Sequence, residues 1–387
     1  MKTAAIICEY NPFHKGHLYQ IEKAKAMGAD TIVCVMSGNF VQRGECAFFN
    51  KHLRAEAAIL CGADVVIDLP TPWAMSSAET FARGSIGLLE SFGIEALSFG
   101  CESDDEALLR AVAKMLKDTN TGTLIKKYSA DGLSYPEAVS RALSDTLGEK
   151  AGQAVSSPNN TLAVEYIRHL CDNIKLLPVK RIGADHDSDT AKDSIASASL
   201  IRSSDLSDEC FDYIPERLVS LYKNAEKYNI SHCERAILSS LRLMDKDEFS
   251  LYVSDRNGLD MRIYDSAHKA DSLESLYAMS KSRNYTHSRV RREVMNLWLK
   301  VKKTYSEGIP PYIRILAVSE RGLSLLSKAK ENTDLPIITK YAEAKNLRGK
   351  AKEIYQAECR NTDLFSLCTD KIKECSLEKK HSLIIVR

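Results

Sequence analysis

Apolar runs of strand length recur through the first part of the chain and are separated by stretches with helical length and composition. Ala4 to Cys8, Thr31 to Val35 and Val65 to Ile67 are near-continuous in apolar residues, the pattern of strands buried on both faces of a parallel sheet. Between and after them, Leu18 to Met27, Lys51 to Cys61 and Ser76 to Phe92 predict helices, and Glu95 to Phe99 predicts a further strand ending at Gly100. The βαβαβαβ order predicts an α/β fold built on a doubly wound parallel sheet, whose ligands bind beyond the carboxyl ends of the strands.

Glu102 to about Leu147 turns helical and polar. The loop Ser156-Ser157-Pro158-Asn159-Asn160 leads into a helix over Leu162 to Cys171 and a strand over Leu176 to Ile182. A domain boundary is placed near residue 205, giving a catalytic unit over 1–205 and a second unit over 206–387. The second reads as mostly helical from Phe211 to about Lys330, where Leu238, Leu241 and Leu243 contribute to apolar faces. The segment after Lys340 carries few signals and is read as an appendage.

A chain of 387 residues with 44% hydrophobic and 27% charged residues has the composition of a soluble globular protein of about two domains. No apolar run reaches the ~18 residues a membrane-spanning helix needs. The opening run is too short for a signal peptide and leads into Glu9-Tyr10-Asn11-Pro12 rather than a cleavage site, so it reads as the first strand. Eleven scattered cysteines without a Cys-x-x-Cys pair suit a reducing cytoplasmic compartment. A formal net charge of +1 excludes a broadly basic nucleic-acid binder but leaves room for a local patch.

The candidate chemistry begins at the end of the first strand, where Glu9-Tyr10-Asn11-Pro12-Phe13-His14-Lys15-Gly16-His17-Leu18 opens a helix. Pro12 stops the strand, and Gly16 removes a Cβ where the chain turns. His14 and His17, three apart at a helix start, point the same way, beside free N–H groups that favour an anion. Phosphate is the natural guest, and donors there would hold charge developing at an α-phosphate and its leaving pyrophosphate. Two histidines beside a turn also fit packing or surface roles, but their place after the first strand of a βαβ unit favours function. A zinc site lacks a third ligand of matching spacing, so no metal site is assigned. A second element, Ser194 to Arg202, is rich in hydroxyls and ends in a cation; Ser199 and Arg202 would embrace a triphosphate from the opposite side, although such turns also commonly cap helices.

Several longer runs accompany this turn: Val35-Met36-Ser37-Gly38-Asn39-Phe40-Val41-Gln42-Arg43-Gly44-Glu45, Asp68-Leu69-Pro70, Ser76-Ser77-Ala78-Glu79, Ser98-Phe99-Gly100, Ser157-Pro158-Asn159-Asn160 and Lys180-Arg181-Ile182-Gly183-Ala184. In order, they resemble the bacterial tRNA(Met) cytidine acetate ligase family, within the HxGH nucleotidyltransferase superfamily. The resemblance covers nearly all of the first 205 residues and continues more loosely to about residue 340. It implies a Rossmann-like enzyme that activates acetate with ATP as acetyl-adenylate, releasing pyrophosphate, then acetylates N4 of the wobble cytidine of elongator tRNA(Met), releasing AMP. It implies ATP contacts from Ile7, Cys8, Glu9, Tyr10, Asn11, Pro12, Phe13, His14, Lys15, Gly16, His17, Leu18, Tyr19 and Gln20, and from Gly100, Asn159 and Arg181. Two departures stand out: Gly183-Ala184-Asp185-His186-Asp187 lacks the family's tyrosine, and Ala317 stands where glycine is expected.

Residue chemistry agrees. A carboxylate attacking the α-phosphorus gives a mixed anhydride that an exocyclic amine can open, with His14, His17 and Arg43 as the candidate catalytic set; Arg43 would steady either the carboxylate or the phosphates. Mg²⁺ is expected with ATP, held mostly by substrate phosphates. Lys281, Arg283, Tyr285, Arg289, Arg291 and Arg292 form a basic segment with an aromatic and no acid, suited to RNA phosphates and an exposed base, although a solvated basic helix gives the same pattern. Two other readings remain: an adenylyltransferase for a small metabolite, which leaves the basic segment idle, and a noncatalytic RNA-binding protein with a nucleotide-sensing unit.

Overall fold

The computed structural model describes residues 2–102, 105–181, 197–254, 258–282 and 285–387. Its strands, in chain order, are β1 (Thr3–Cys8), β2 (Thr31–Ser37), β3 (Phe40–Val41), β4 (Glu45–Cys46), β5 (Val65–Leu69), β6 (Ala96–Cys101), β7 (Lys175–Lys180), β8 (Ile313–Ser319), β9 (Ile337–Ile338) and β10 (Ile384–Val386). Side chains alternate across a pleated strand. Ala5, Val33, Val35, Val65, Ile67 and Leu97 therefore enter one core, while Ala4, Ile6, Ile32, Cys34, Met36 and Val66 enter another on the opposite face. With both faces covered, strand positions can be apolar without a break, which is why these runs are legible in the sequence.

The main sheet has the order β10-β8-β5-β2-β1-β6-β7, with β9 also on β8. From β5 through β7 neighbouring strands are parallel. The chain moves outward from β1 through β2 to β5, then returns to the other side of β1 as β6 and β7. The carboxyl ends of β1 and β6 thus flank the point where strand order reverses, the position at which doubly wound sheets bind ligands. Local chemistry fixes the connecting helices. Asn50 caps Lys51–Leu60 by accepting from Leu53 N at 3.0 Å, and Gly93, at φ 86°, ends Ala78–Phe92 in the left-handed region.

β8 lies in the region read as mostly helical and pairs antiparallel with β5, so the sheet is mixed and mostly parallel. Helices dominate the rest of that region. The segment after Lys340 also reaches the core: Ile354, Ala357, Phe365 and Cys368 are fully buried, and β10 extends the sheet beyond β8. Among the described residues, no helix is long and apolar enough to cross a membrane.

Candidate active site

A cavity of about 220 Å³ opens beyond the ends of β1 and β6. Of the residues expected around ATP, Ile7, Cys8, Glu9, Tyr10, Asn11, His14, His17, Gln20, Gly100, Asn159, Arg181, Ser199 and Arg202 line it, and Arg43 joins them. Pro12, Phe13, Lys15, Gly16, Leu18 and Tyr19 do not. Phe13 is buried, with its N–H donating to the Tyr222 hydroxyl at 3.2 Å. Lys15 is exposed, Leu18 packs on the core, and Tyr19 lies beneath Lys23. Of the departures from the family pattern, Gly183 to Asp187 lie outside the described residues, whereas Ala317 is buried in β8.

The two histidines are oriented by the helix they start. His14 is the N-cap of Lys15–Ala26, and its Nδ1 accepts from Gly16 N at 3.0 Å; His17 Nδ1 accepts from His14 N at 3.3 Å. An imidazole that accepts at Nδ1 carries its remaining proton on Nε2. Both rings are thus Nε2–H donors, with centroids 3.8 Å apart. Burial, together with the Arg181 and Arg202 guanidiniums, pushes the His14 pKa down to about 3. Burial, His14 and Arg181 likewise hold His17 well below the usual histidine range. The free site therefore presents neutral imidazoles, with cationic character supplied by arginines.

Those arginines are positioned by polar contacts. Arg202 Nη1 donates to Asn11 O at 2.7 Å and Nη2 to Ser199 Oγ at 3.3 Å, while Asn11 Oδ1 accepts from Phe48 N at 2.7 Å. Arg181 Nη1 donates to Asn159 Oδ1 at 3.2 Å, and Asn159 in turn donates to Glu102. Glu102 also accepts from Ser157 Oγ at 2.8 Å and Asn160 N at 3.0 Å, locking the Ser157–Asn160 turn to the end of β6.

Sequence reasoning missed two supporting cations. Arg54 is fully buried and donates to the carbonyls of Phe49 (2.9 Å), Glu9 (2.6 Å), Ser37 (3.0 Å) and Gly38, fastening the carboxyl ends of β1 and β2 together. Burial lowers its pKa to about 10, so it remains charged at neutral pH. Lys51 is also buried and pairs with Asp68 at 2.6 Å and Glu378 at 2.5 Å. The sequence marks Lys51 to Cys61 only as a helix; the tertiary carbonyls and carboxylates reveal the roles of Lys51 and Arg54.

The loop carrying Arg43 is held from the C-terminal half. Arg291 Nη1 pairs with Glu45 Oε1 at 2.6 Å, Arg292 Nη1 donates to Gln42 O at 3.3 Å, and Gln42 N donates to Glu9 Oε1 at 2.9 Å. Gly44 sits at φ +75°, and a Cβ there would meet Arg292 N at 2.6 Å and Arg291 C at 2.7 Å. Glycine is required both for the backbone conformation and for this approach. Arg291 and Arg292 consequently face the loop. Tyr285 is 5% exposed with Arg289 over its ring, so it is not available for the stacking on an exposed base expected of it. Lys281 is exposed, and Arg283 lies outside the described residues.

A second cleft, of about 440 Å³, gathers Arg289, Arg292, Lys302 and Lys303 with hydroxyls that include Ser76, Ser77 and Thr286.

The phosphate-ready turn at the switch point of a doubly wound sheet defines a nucleotidyl transferase. The family model described as HIGH Nucleotidyl Transferase matches residues 1–380. The chain is 34% identical over 372 residues to a tRNA(Met) cytidine acetate ligase of Fervidobacterium nodosum, covering 91% of this chain and 87% of that one. It is 34% identical over 397 residues to a tRNA(Met) cytidine acetate ligase of Acetivibrio thermocellus, covering 95% of each. The chain belongs to the HIGH nucleotidyl transferase family, in the group of the tRNA(Met) cytidine acetate ligases. Crystal structures of Thermotoga maritima TmcAL, 28% identical and covering all of both chains, superpose with TM-scores of 0.91 for an apo form and 0.88 for a form bound with alpha-thio ATP.

Proposed function

We propose that this chain is an ATP-dependent ligase that converts acetate to acetyl-adenylate and transfers the acetyl group to N4 of the wobble cytidine of elongator tRNA(Met). The observation that carries the reading is the pair of neutral Nε2–H imidazoles beside Arg181 and Arg202 at the helix start after β1. A triphosphate seated there receives hydrogen bonds from His14 and His17 without either ring needing to gain a proton. Arg181 and Arg202 offset the charge that builds on the α-phosphate and departing pyrophosphate as the acetate oxygen attacks. Arg43, on the cavity wall, steadies the acetate carboxylate or the phosphates. The relatives' names and the alpha-thio ATP bound by the Thermotoga maritima protein support the same reading.

Among the described residues, no group of three or more ligating side chains converges as a metal cage. Mg²⁺ would enter on the ATP phosphates, with substrate oxygens and water supplying most of its ligands. Phosphates of the tRNA would lie along the cleft bearing Arg289, Arg292, Lys302 and Lys303. The setting of the reaction would be the cytoplasm.

The direct test supplies the protein with ATP, labelled acetate and total tRNA. Label appearing as N4-acetylcytidine in tRNA(Met) supports the reading; label confined to a soluble adenylate points to another acceptor, and no turnover rejects an enzyme of this kind.

A further inference from the structure

Beside the nucleotide cavity lies a larger one of about 870 Å³, and Glu45, Ser199 and Arg202 line both. We propose that this second cavity receives the acceptor base of a single-stranded RNA segment and presents its exocyclic amine to Glu45. The proposal rests on the acetyl-transfer reading given above.

Three observations support it. First, the cavity has a rigid apolar floor: Phe48 and Tyr228 are buried there, and Tyr228 is held by stacking on Phe365, with centroids 4.0 Å apart and planes at 18°.

Second, carboxylate acceptors line the cavity beside the shared Arg202. Asp205, Glu226 and Asp370 stand in the lining, Lys227 is engaged by Asp205 at 3.0 Å, and Glu226 is paired with Lys373 at 2.8 Å. Such carboxylates can accept the N–H groups of a base. On the reading above, backbone phosphates would lie in the cationic cleft that holds Arg289 and Lys302.

Third, Glu45 is fixed where the two cavities meet. Arg291 holds its Oε1 at 2.6 Å, and it belongs to the same short hairpin, β3 and β4, whose turn carries Arg43. An amine arriving from the larger cavity would meet this carboxylate at the threshold of the nucleotide cavity. In the transfer, the amine nitrogen bonds to the acetyl carbonyl carbon while the C–O bond to the adenylate phosphate breaks. AMP leaves with that electron pair, and one amine proton passes to the Glu45 carboxylate.

The test uses the full chain and separates the half-reactions: acetate-dependent exchange of pyrophosphate into ATP for the first, and acetyl transfer to tRNA(Met) for the second. Ser203 is an exposed residue of the larger cavity, so Ser203→Trp obstructs it without burdening the core. This variant is expected to keep exchange within about twofold of the parent and to lose about tenfold or more in kcat/KM for tRNA. Glu45→Gln is expected to lower the transfer rate by about 10²-fold or more, whereas Glu45→Asp retains part of it. Normal transfer by Ser203→Trp, equal loss of both half-reactions in it, or normal transfer by Glu45→Gln each overturns the proposal. A parent that shows no acetate-dependent exchange overturns the acetyl-transfer reading instead.

Discussion

A neutral histidine beside a phosphate seat has consequences that a charged one would not. His17→Ala removes one Nε2–H donor from the nucleotide cavity and is expected to lower acetate-dependent pyrophosphate exchange by about 10²-fold, as for the loss of a preorganised donor to a developing anion. Binding of tRNA, measured by filter retention, should persist; loss of both together would indicate unfolding. The pKa of His14 makes a second prediction. It falls from an ordinary 6.5 to about 3 on folding, so between those values the unfolded chain binds the extra proton. The stabilisation is complete above pH 6.5 and drains as pH falls toward 3. His14→Asn should therefore flatten the decline of unfolding free energy on the acid side by up to about 1.4 kcal/mol per pH unit, measured by urea titration of the nucleotide-free protein. The motif holding these residues was legible because it is local: a strand, a stop at Pro12 and a helix start lie within a few positions. Arg54 was not legible, because its partners are carbonyls from other segments, and no spacing within Lys51 to Leu60 announces them.

At the level of elements, buried polar contacts tie the Lys51–Leu60 helix and the turn after β5 to the C-terminal segment. Lys51 pairs with Asp68 and Glu378, and Thr71 donates through N and Oγ1 to Glu358 at 2.9 and 3.1 Å. Removing the cation leaves two buried carboxylates without it, so Lys51→Met should cost about 3–5 kcal/mol in urea unfolding. Glu358 behaves oppositely to His14. Burial, partly offset by Lys51, pushes its pKa from 4.5 up to about 8, so the fold favours the protonated carboxyl. Its stabilisation is present below pH 4.5 and is lost as pH rises through 8. Glu358→Gln, neutral throughout, should flatten the decline in stability across that interval. None of this network shows in the sequence, where Lys51 reads only as part of a helix, Asp68 only as part of a run shared with the resembled family, and Glu358 and Glu378 lie in a segment with few signals. The parallel strands were visible because burial on both faces leaves continuous apolar runs. β8 escaped notice because Arg314 interrupts its run, and that arginine is buried within 3.9 Å of Glu378.

Across the whole molecule, the two halves of the chain meet at the Arg43 loop, where Gly44 lies against the backbone of Arg291 and Arg292. The basic segment was legible as a patch, but its division of labour was not: Arg291 reaches the loop, Arg292 reaches the loop and also lines the open cleft, and Arg289 and Lys302 line the cleft. Arg289→Ala combined with Lys302→Ala should weaken tRNA binding and reduce the slope of log affinity against log salt by about 0.7–0.9 for each phosphate no longer neutralised. An unchanged slope would place the RNA backbone elsewhere. The antiparallel pairing of β5 with β8 governs how the chain can be cut. A fragment that stops before Ile313 would leave β5, five buried residues from Val65 to Leu69, as a bare edge. Such edges recruit further copies of themselves, so the N-terminal half expressed alone is expected to aggregate, and co-expression of the missing half should rescue its solubility.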